Sequence, residues 1–273
     1  MPTQAEKSEA FLALHRGTSP LLMPNPWDLG SAKLLESMGF AALATTSGGF
    51  AASLGRLDGS VTRDEAVIHG HAIVSAVEVP VSADLENCFA DDPDGVAATI
   101  AMALEAGLAG CSVEDYSKND GDPIYELGLA RDRVAAAAQV AHGGPVHLVL
   151  TARAENLIRG RPDLDDTITR LQAYGAAGAD VLFAPGLSAL DDIRRVVSNV
   201  DRPVNVLVRP GLPTVSELAK VGVARISVGS AFAWAALGGL VEAGQELLNS
   251  GTYGFSERAA LGRAPAGSAF SPG

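Results

Sequence analysis

The sequence has 273 residues, 47% hydrophobic but only 5% aromatic, which suffices for one large domain with a core of Ala, Val and Leu. Acidic residues outnumber basic ones by 32 to 20, and the formal net charge of -12 disfavours nucleic acid and anionic membranes as partners. The two cysteines form no disulfide framework, and the N-terminus lacks the basic and apolar regions of a secretory signal. We therefore expect a cytoplasmic protein without a membrane-spanning segment.

Eight short apolar segments alternate with helical patterns along the chain. They cover residues 21–23, 41–45, 79–83, 110–113, 147–152, 180–184, 204–208 and 225–228. Alternation of strand and helix predicts a parallel sheet. Proline opens the odd-numbered segments and glycine precedes the even-numbered ones, so four repeated pairs predict an α/β fold, a (β/α)8 barrel of the TIM type. A doubly wound open sheet is the alternative, but no Gly-x-Gly-x-x-Gly follows the first strand.

The two ends of the chain differ in composition from the repeated part. We expect a leading helix within residues 1–20 and a further helix over residues 230–250, after the eighth strand. Residues 1–250 are therefore predicted to form a single barrel domain. Residues 251–273 are rich in Gly, Ala, Ser and Pro, and are predicted to form a loose tail or an arm that packs on a neighbouring subunit.

Acidic residues follow two neighbouring strands of the predicted barrel. Asp84 and Glu86 close the third segment, and Glu114 and Asp115 close the fourth. Strand ends meet at the face of a TIM barrel where active sites lie, so these four acids could converge on one hard cation. Ligation by oxygen alone favours Mg²⁺ or Mn²⁺. The alternative is that the acids cap helices or pair with arginine on the rim.

Two other strand ends carry groups suited to an anionic ligand. Residues 47–49, Ser-Gly-Gly, could cradle a carboxylate or phosphate with their N–H groups, although a glycine-rich turn that needs positive φ is the alternative. Arg153 leaves the fifth strand and could bind a carboxylate as a bidentate fork. Its alternative role is a salt bridge to Glu155 or Glu114.

The remaining reactive side chains do not end strands. The absence of a lysine at any strand end disfavours an aldolase that works through a Schiff base. The five histidines fit surface or core roles and leave no evident catalytic imidazole or histidine-rich metal site. Cys111 opens its strand and Cys88 lies in the loop after Glu86, and we expect both to be structural.

Four motifs together resemble the isocitrate lyase and phosphoenolpyruvate mutase superfamily. They are Asn-Pro-Trp-Asp-Leu-Gly-Ser-Ala at 25–32, Thr-Thr-Ser-Gly-Gly-Phe at 45–50, Ser-Ala-Asp-Leu-Glu at 82–86 and Ser-Val-Glu-Asp at 112–115. Their order and their placement at strand ends make the combination specific. The resemblance implies a Mg²⁺-dependent barrel that acts on 2-oxo or 2-hydroxy carboxylates through an enolpyruvate-like intermediate. It also implies a homo-oligomer, usually a tetramer of paired dimers that exchange a C-terminal helix.

The resemblance also implies roles for individual residues. Asp84 matches the direct metal ligand, and Glu86 and Glu114 match acids that reach the metal mainly through water. Asp58 matches the acid of the second-strand loop, and together with Arg153 and Tyr116 it is expected to take part in catalysis. The candidates for substrate binding are Trp27, Ser47, Gly48, Gly49, Arg153 and Asn205. Mg²⁺ and the backbone at Ser47 and Gly48 would stabilise an enolate oxygen while the adjacent bond breaks.

The loop after the fourth strand departs from the known branches. Isocitrate and methylisocitrate lyases resemble one another in a Lys-Lys/Arg-Cys-Gly-His loop with a catalytic cysteine, whereas residues 116–121 read Tyr-Ser-Lys-Asn-Asp-Gly. Lys118 and Asn119 are similar to residues of the mutase and phosphonopyruvate hydrolase loop. However, the sixth strand ends in Ala-Pro-Gly at 184–186, without the histidine expected to hold a phosphonyl group.

These features predict a Mg²⁺-dependent lyase or decarboxylase that cleaves a carbon–carbon bond in a small 2-oxo or 2-hydroxy acid, with Tyr116 or water as proton carrier. A phosphorus–carbon mutase or hydrolase and a non-catalytic binder of 2-oxo acids are alternatives. A phosphate-binding barrel enzyme is another, since Ser-Val-Gly-Ser at 227–230 follows the eighth strand. The motifs do not identify the substrate.

Overall fold

The computed structural model describes residues 2–119 and 121–271 and contains a barrel of eight parallel strands. The strands are β1 (Leu21–Met23), β2 (Leu43–Ala44), β3 (Val81–Ala83), β4 (Gly110–Glu114), β5 (Val149–Arg153), β6 (Val181–Phe183), β7 (Val204–Leu207) and β8 (Arg225–Ser227). They are ordered β1-β8-β7-β6-β5-β4-β3-β2. The Ala44 N–H donates to the Pro24 carbonyl at 3.0 Å, which links β2 to the end of β1 and nearly closes the barrel. The predicted barrel is confirmed, and the open-sheet alternative is wrong.

Helices surround the strands. They are α1 (Gln4–Leu14), α2 (Leu29–Ser37), α3 (Ser47–Ser53), α4 (Arg63–Ala76), α5 (Pro93–Glu105), α6 (Leu127–His142), α7 (Leu164–Ala176), α8 (Leu190–Ser198), α9 (Val215–Lys220), α10 (Ala231–Ser250) and α11 (Phe255–Phe270), with a 3-10 turn at Asn156–Ile158. Local sequence specifies where several of them begin. Thr62 and Glu65, for example, form a reciprocal capping box at the start of α4.

The leading helix closes the N-terminal end of the barrel. Phe11 of α1 is fully buried and packs in a cluster with Leu21, Val149 and Val181 at the bottoms of three strands. A Cβ atom on Gly110 would lie 2.7 Å from the Phe11 ring, so β4 can begin beneath this helix only with glycine. The opposite end, where the strands finish, is left open for a site.

The C-terminal part of the chain is helical. The predicted helix after the eighth strand is confirmed as α10, and α11 lies against α2 of the same chain, with the Phe270 ring near Gly30. The domain boundary at residue 250 and the exchange of a C-terminal helix between subunits stay predictions. Among the described residues, none of the helices combines the length and apolar character needed to cross a bilayer.

Candidate active site

A cavity of about 200 Å³ opens at the carboxyl ends of the strands, and every strand contributes to its wall. A second, outer cavity of about 340 Å³ lies beside it under the loops that follow β2, β3, β4 and β5. The two cavities share Ser47, Asp58 and Arg153. Asp84 lines the inner cavity, and Glu86, Glu114 and Tyr116 line the outer one. The structure therefore brings most of the predicted site residues to one face of the barrel.

Arg153 lies at the centre of an acidic group on the rim. Its Nη1 donates to Asp84 Oδ1 at 3.0 Å, its Nη2 lies 3.1 Å from Glu114 Oε2, and its Nε and Nη2 both donate to Glu155 Oε1. Register explains the meeting, because Glu114 of β4 is paired with Arg153 of β5. The salt bridges considered for Arg153 are therefore present. Its use as a fork for a substrate carboxylate stays a prediction.

Burial and neighbouring charges shift the pKa values of Glu114 and Arg153 in opposite directions. Burial raises the pKa of Glu114 well above its usual value, although the Arg153 cation opposes the shift. Burial also disfavours the charged form of Arg153, but Glu114, Glu155 and Asp84 together outweigh it and hold its pKa well above the usual range. Arg153 is therefore a permanent cation, and Glu114 gains from any further positive charge nearby.

The loops after β3 and β4 carry strained backbone beside these acids. Within the described chain, all non-glycine residues with positive φ lie in these two loops, namely Glu86 (51°), Cys88 (59°), Phe89 (55°) and Lys118 (60°). Each such conformation costs roughly 1 kcal/mol, and strain of this kind concentrates at functional sites.

Lys118 provides a second cation at the rim. Its Nζ lies 2.5 Å from Glu86 Oε2, while Glu86 Oε1 is buried and has no hydrogen-bond partner in the described structure. Burial raises the pKa of Glu86, and Lys118 opposes the shift. One oxygen of Glu86 is thus neutralised by Lys118, and the other is free to meet a ligand.

Asp115 does not face the site. It accepts hydrogen bonds from the Tyr174 hydroxyl at 2.5 Å, Arg170 Nη1 at 3.2 Å and the Glu155 N–H at 2.8 Å. Side chains alternate along a strand, so the residue after the inward-facing Glu114 points towards the helices. The expectation that four acids converge is wrong for Asp115, which instead ties the end of β4 to α7.

Residues 47–49 begin helix α3, and Thr46 is its N-cap. Neither Gly48 nor Gly49 has positive φ, so the turn alternative is wrong. Both glycines are needed for space, because a Cβ atom on Gly48 would lie 2.8 Å from Ser230 Oγ and one on Gly49 would lie 2.6 Å from Thr46 Cγ2. Substrate binding by this segment stays a prediction.

Trp27 and Asn205 are placed differently from each other. Asn205 is fully buried in the wall of the inner cavity, where its side chain bonds to Arg225 Nε and Ser227 Oγ. Trp27 is not among the residues that line either cavity. Its Cβ atom packs close to Gly49, so it supports the start of α3 from behind. Direct substrate binding by either residue stays a prediction.

Tyr116 begins the loop after β4 and lines the outer cavity together with Asp58. The Arg159 guanidinium carbon lies 3.6 Å from the centroid of its ring, and Arg159 Nη2 lies 3.3 Å from Glu155 Oε2. An isolated antiparallel bridge between Tyr116 and Ile124 closes the loop. The phenol is thus held beside the acidic group by stacking, and its catalytic role stays a prediction.

The rim has more carboxyl groups than cationic side chains, which suits a divalent cation. Its carboxylates are Asp58, Asp84, Glu86, Glu114 and Glu155, and its cations are Lys118, Arg153 and Arg159. Five negative charges less three positive ones leave two when all are ionised. Oxygen ligands suit Mg²⁺. The oxygens of Asp84, Glu86 and Glu114 do not all lie within 4.8 Å of one another, a spacing compatible with one direct ligand and two acids that act through water.

In the described ranges, one group of three side chains does meet that distance, and it lies at the opposite end of the barrel. The Nε2 atoms of His142 and His147 each lie 3.0 Å from an oxygen of Asp180, and the two rings stack with centroids 4.1 Å apart. The sequence predicts no histidine-rich metal site, and the cluster is not evident from it because its three residues come from different parts of the chain. It is separate from the cavities described above.

The backbone N–H groups that follow β8 already have hydrogen-bond partners within the chain. The N–H groups of Val228 and Gly229 donate to Asn25 Oδ1 at 3.0 and 2.9 Å, and Ser230 Oγ lies 2.7 Å from Thr46 Oγ1. These contacts join β8 to the ends of β1 and β2. They use groups that a phosphate would need, which disfavours the phosphate-binding alternative.

Comparisons with known proteins agree with this geometry. The family described as phosphoenolpyruvate phosphomutase matches residues 11–248. The crystal structure of a provisionally assigned lyase/mutase from Burkholderia cenocepacia J2315 has a TM-score of 0.95 and 47% sequence identity, and covers 98% of this chain and 97% of that chain. The 2-methylisocitrate lyase of Escherichia coli (strain K12) is 30% identical over 72% of this chain and 68% of its own length. The crystal structure of 2,3-dimethylmalate lyase has a TM-score of 0.83 and 25% identity over 93% and 90% of the two chains.

Proposed function

Since the chain belongs to the isocitrate lyase and phosphoenolpyruvate mutase superfamily, we propose that it is a Mg²⁺-dependent enzyme that cleaves a carbon–carbon bond in a small 2-oxo or 2-hydroxy acid. The observation that carries the proposal is the rim, where the carboxyl groups of Asp84, Glu114 and Glu155 surround Arg153 at the mouth of a cavity. A cation site beside a carboxylate-binding group would suit lyase or decarboxylase chemistry, and the rim has acids that could hold the cation and an arginine that could bind the carboxylate.

Asp84 is the residue that would bind Mg²⁺ directly, with Glu86 and Glu114 around it. When bound, Mg²⁺ (or Mn²⁺) would supply positive charge where an enolate oxygen develops. The Ser47 N–H donates to Asp84 Oδ2 at 3.1 Å and so fixes the orientation of that carboxylate. The unpartnered Glu86 Oε1 supports the assignment, because a buried carboxylate oxygen is unfavourable unless a cation or donor meets it.

The remaining rim residues would position substrate and move a proton. Arg153 would orient the substrate carboxylate, since its guanidinium is held rigidly by three acids and lines both cavities. Cleavage of a carbon–carbon bond leaves an electron pair on one carbon, and that carbon must be protonated. Tyr116 is the candidate donor, and Asp58 is the second acid on the same cavity wall.

The experiment that tests the proposal is a product screen with the full chain. Oxaloacetate, 2-methylisocitrate and 2,3-dimethylmalate are supplied with Mg²⁺ or with EDTA, and 2-oxo acid products are followed by NMR. We expect release of a product such as pyruvate only with Mg²⁺. Equal turnover in EDTA would sink the metal assignment, and Mg²⁺-dependent binding without any turnover would favour a non-catalytic binder of 2-oxo acids.

A phosphorus–carbon mutase or hydrolase is the second candidate. It is favoured by Lys118, because the loop that carries this residue has a limited similarity to the mutase loop. The Lys118 Nζ contacts Glu86 at the rim. Phosphonopyruvate is the discriminating substrate. Its conversion, followed by ³¹P NMR, with no reaction of the carbon acids would favour this candidate over the lyase.

We further propose that the chain forms a homo-oligomer through α10. Trp234, Leu240 and Leu248 of this helix are 54%, 67% and 86% exposed, and apolar patches of this kind mark association surfaces. Light scattering of the wild type should give a dimer or tetramer, and Leu240→Glu with Leu248→Glu should shift it towards monomer. Leu57→Glu is the control, because Leu57 is 85% exposed in the loop before α4. A monomeric wild type would contradict this proposal.

A further inference from the structure

Three side chains of types that bind metal ions meet on the N-terminal face of the barrel, at the opposite end from the rim. His142 is the last residue of α6, His147 lies two residues before β5, and Asp180 directly precedes β6. Their ligand atoms all lie within 4.8 Å of one another. The three side chains are 26%, 42% and 12% exposed, so an ion can reach them from solvent.

Local backbone structure places the two histidines side by side. Residues 143–146, Gly-Gly-Pro-Val, form the short connection between them, and the Leu148 N–H donates to the Ala141 carbonyl at 2.9 Å across its base. A Cβ atom on Gly143 would lie 2.6 Å from a carbonyl oxygen of the preceding helical turn, so a larger residue there would force the chain to shift. The chain therefore turns directly after His142, and the two imidazole rings stack with centroids 4.1 Å apart.

Asp180 is fixed against β5 by backbone groups. Its N–H donates to the Leu150 carbonyl at 2.9 Å, and the Leu150 N–H donates to Asp180 Oδ2 at 2.8 Å. Burial alone would raise the pKa of this carboxyl, but the hydrogen bonds from His142, Leu150 and His147 outweigh burial and hold the pKa below its usual value. The carboxylate is therefore ionised at neutral pH and oriented by a backbone donor, as carboxylates that ligate metals usually are.

The distances within the cluster suit ligands of one ion. His142 Nε2 lies 3.0 Å from Asp180 Oδ2, and His147 Nε2 lies 3.0 Å from Asp180 Oδ1. Ligands that lie about 2.0–2.2 Å from Zn²⁺ are roughly 3–3.5 Å apart, so each imidazole already has about the required separation from the carboxylate. The ring planes are 7° from parallel and must tilt for both nitrogens to point at one ion. His147 can make this movement, because it lies outside the helices and strands and is the most exposed of the three.

We propose that His142, His147 and Asp180 form a binding site for a divalent transition metal ion of the Zn²⁺ type, separate from the Mg²⁺ site proposed at the rim. Two imidazoles favour such an ion over Mg²⁺, which prefers oxygen ligands. The ion joins the end of α6 to the entries of β5 and β6, a stabilising role that suits the N-terminal face of a TIM barrel. This inference does not depend on the proposed function, because other residues line the two cavities at the rim.

Calorimetry of the full chain measures Zn²⁺ binding after removal of metals with EDTA and dialysis into excess Mg²⁺, which keeps Zn²⁺ from the rim. We expect the wild type to bind one Zn²⁺ per chain. His147→Gln should weaken binding by at least about 10–100-fold, the range seen when even an outer partner of a metal ligand is lost. His71→Gln is the matched control and should bind Zn²⁺ as the wild type does, because His71 is also exposed but lies on α4.

Asp180→Asn tests the third ligand and should fold, because an amide oxygen can still accept the hydrogen bond from the Leu150 N–H. It should weaken Zn²⁺ binding as His147→Gln does. Co²⁺ in place of Zn²⁺ gives visible absorption bands that report on the ligands, and both variants should lose the spectrum of the wild type. Zn²⁺ should also raise the Tm of the wild type and of His71→Gln but not that of His147→Gln.

Two results would overturn this metal site directly. They are the absence of Zn²⁺ binding to the wild type and an equal Zn²⁺ affinity of the wild type and His147→Gln. Zn²⁺ binding that is lost in Asp84→Asn but retained in His147→Gln would place the ion at the rim and would also overturn the site.

Discussion

The two layers of the barrel interior carry opposite charge. At the rim, three acidic side chains surround Arg153, whereas in the layer below, Arg225 has only neutral partners. The same strands supply both layers, two residues apart, so the reversal occurs within one cavity. The net charge of -12 therefore says little about the potential that a ligand meets. The upper layer is suited to a cation, and the lower layer is suited to an anion.

The largest expected effect comes from removing charge in the upper layer at Asp84. Asp84→Asn should weaken Mg²⁺ binding by at least about 100-fold, because an amide is a much poorer ligand for a hard cation. Calorimetry or Mn²⁺ electron paramagnetic resonance measures the change. Asp64→Asn on the exposed surface of α4 is the control and should bind Mg²⁺ as the wild type does. Unchanged affinity in Asp84→Asn would place the cation elsewhere.

Arg153→Met removes the cation that pairs with the acids of the upper layer. It leaves Glu114 and Glu155 buried without their shared cation, which should lower the free energy of unfolding by about 3–5 kcal/mol in urea titrations. Arg131→Met, which removes an exposed pair with Asp132, should cost less than about 1 kcal/mol. Millimolar Mg²⁺ should recover part of the loss in Arg153→Met. Equal free energies of unfolding for Arg153→Met and Arg131→Met would show that the buried acids Glu114 and Glu155 do not depend on Arg153 for their stability.

The pH dependence of stability tests the surroundings of His15, which contacts Arg225 in the lower layer. Its pKa is about 3 in the folded chain and about 6.5 when exposed, so below pH 6.5 the unfolded chain binds a proton that the folded chain does not. Stability should therefore fall on acidification, by about 2 kcal/mol between pH 6.5 and 5 from this group. Urea titrations at the two pH values should show a smaller loss of stability in His15→Gln than in the wild type. An unchanged pH slope in His15→Gln would refute the assignment.

Lys118→Met should have the smallest effect. The side chain is 33% exposed, so loss of its pair with Glu86 should change the free energy of unfolding by less than about 1 kcal/mol. Mg²⁺ affinity should rise a few-fold, because the ammonium no longer competes for the Glu86 carboxylate. Lys220→Met on α9 is the control for loss of a lysine charge. Weaker Mg²⁺ binding in Lys118→Met would mean that Lys118 supports the metal site rather than competing with it.

Strand positions and the active face could be predicted from the sequence because they depend on local rules. Proline at strand entries and glycine after helices mark the pairs, and an acid that ends an apolar run stands at the exit of the sheet. Asp84, Glu114 and Arg153 follow these rules and meet at the rim. Asp115 was misassigned because only the observed end of β4 at Glu114 decides which of the two neighbours faces inward.

The remaining site residues depend on tertiary structure. Lys118 and Arg159 reach the rim from loops whose path no local pattern specifies. Glu155 lies two residues after Arg153, the same spacing as Asp84 and Glu86, and this repeated spacing was the available signal. Arg225 opens its strand, and no local pattern in the sequence marks it as a residue of the site. A charged residue that begins an apolar run and is then buried could have been identified only from the packing of α1 beneath it.

The bridge between Tyr116 and Ile124 makes the loop after β4 a self-closed unit. The Ser117 N–H also donates to the Pro123 carbonyl, and the Tyr125 N–H donates to the Asp115 carbonyl, so both ends of the loop are joined by local backbone bonds. The segment between them can change in sequence or length while the barrel below keeps its own hydrogen bonds. Such a loop is the natural place for divergence between branches of a superfamily, and for grafting one branch's reaction onto another's scaffold.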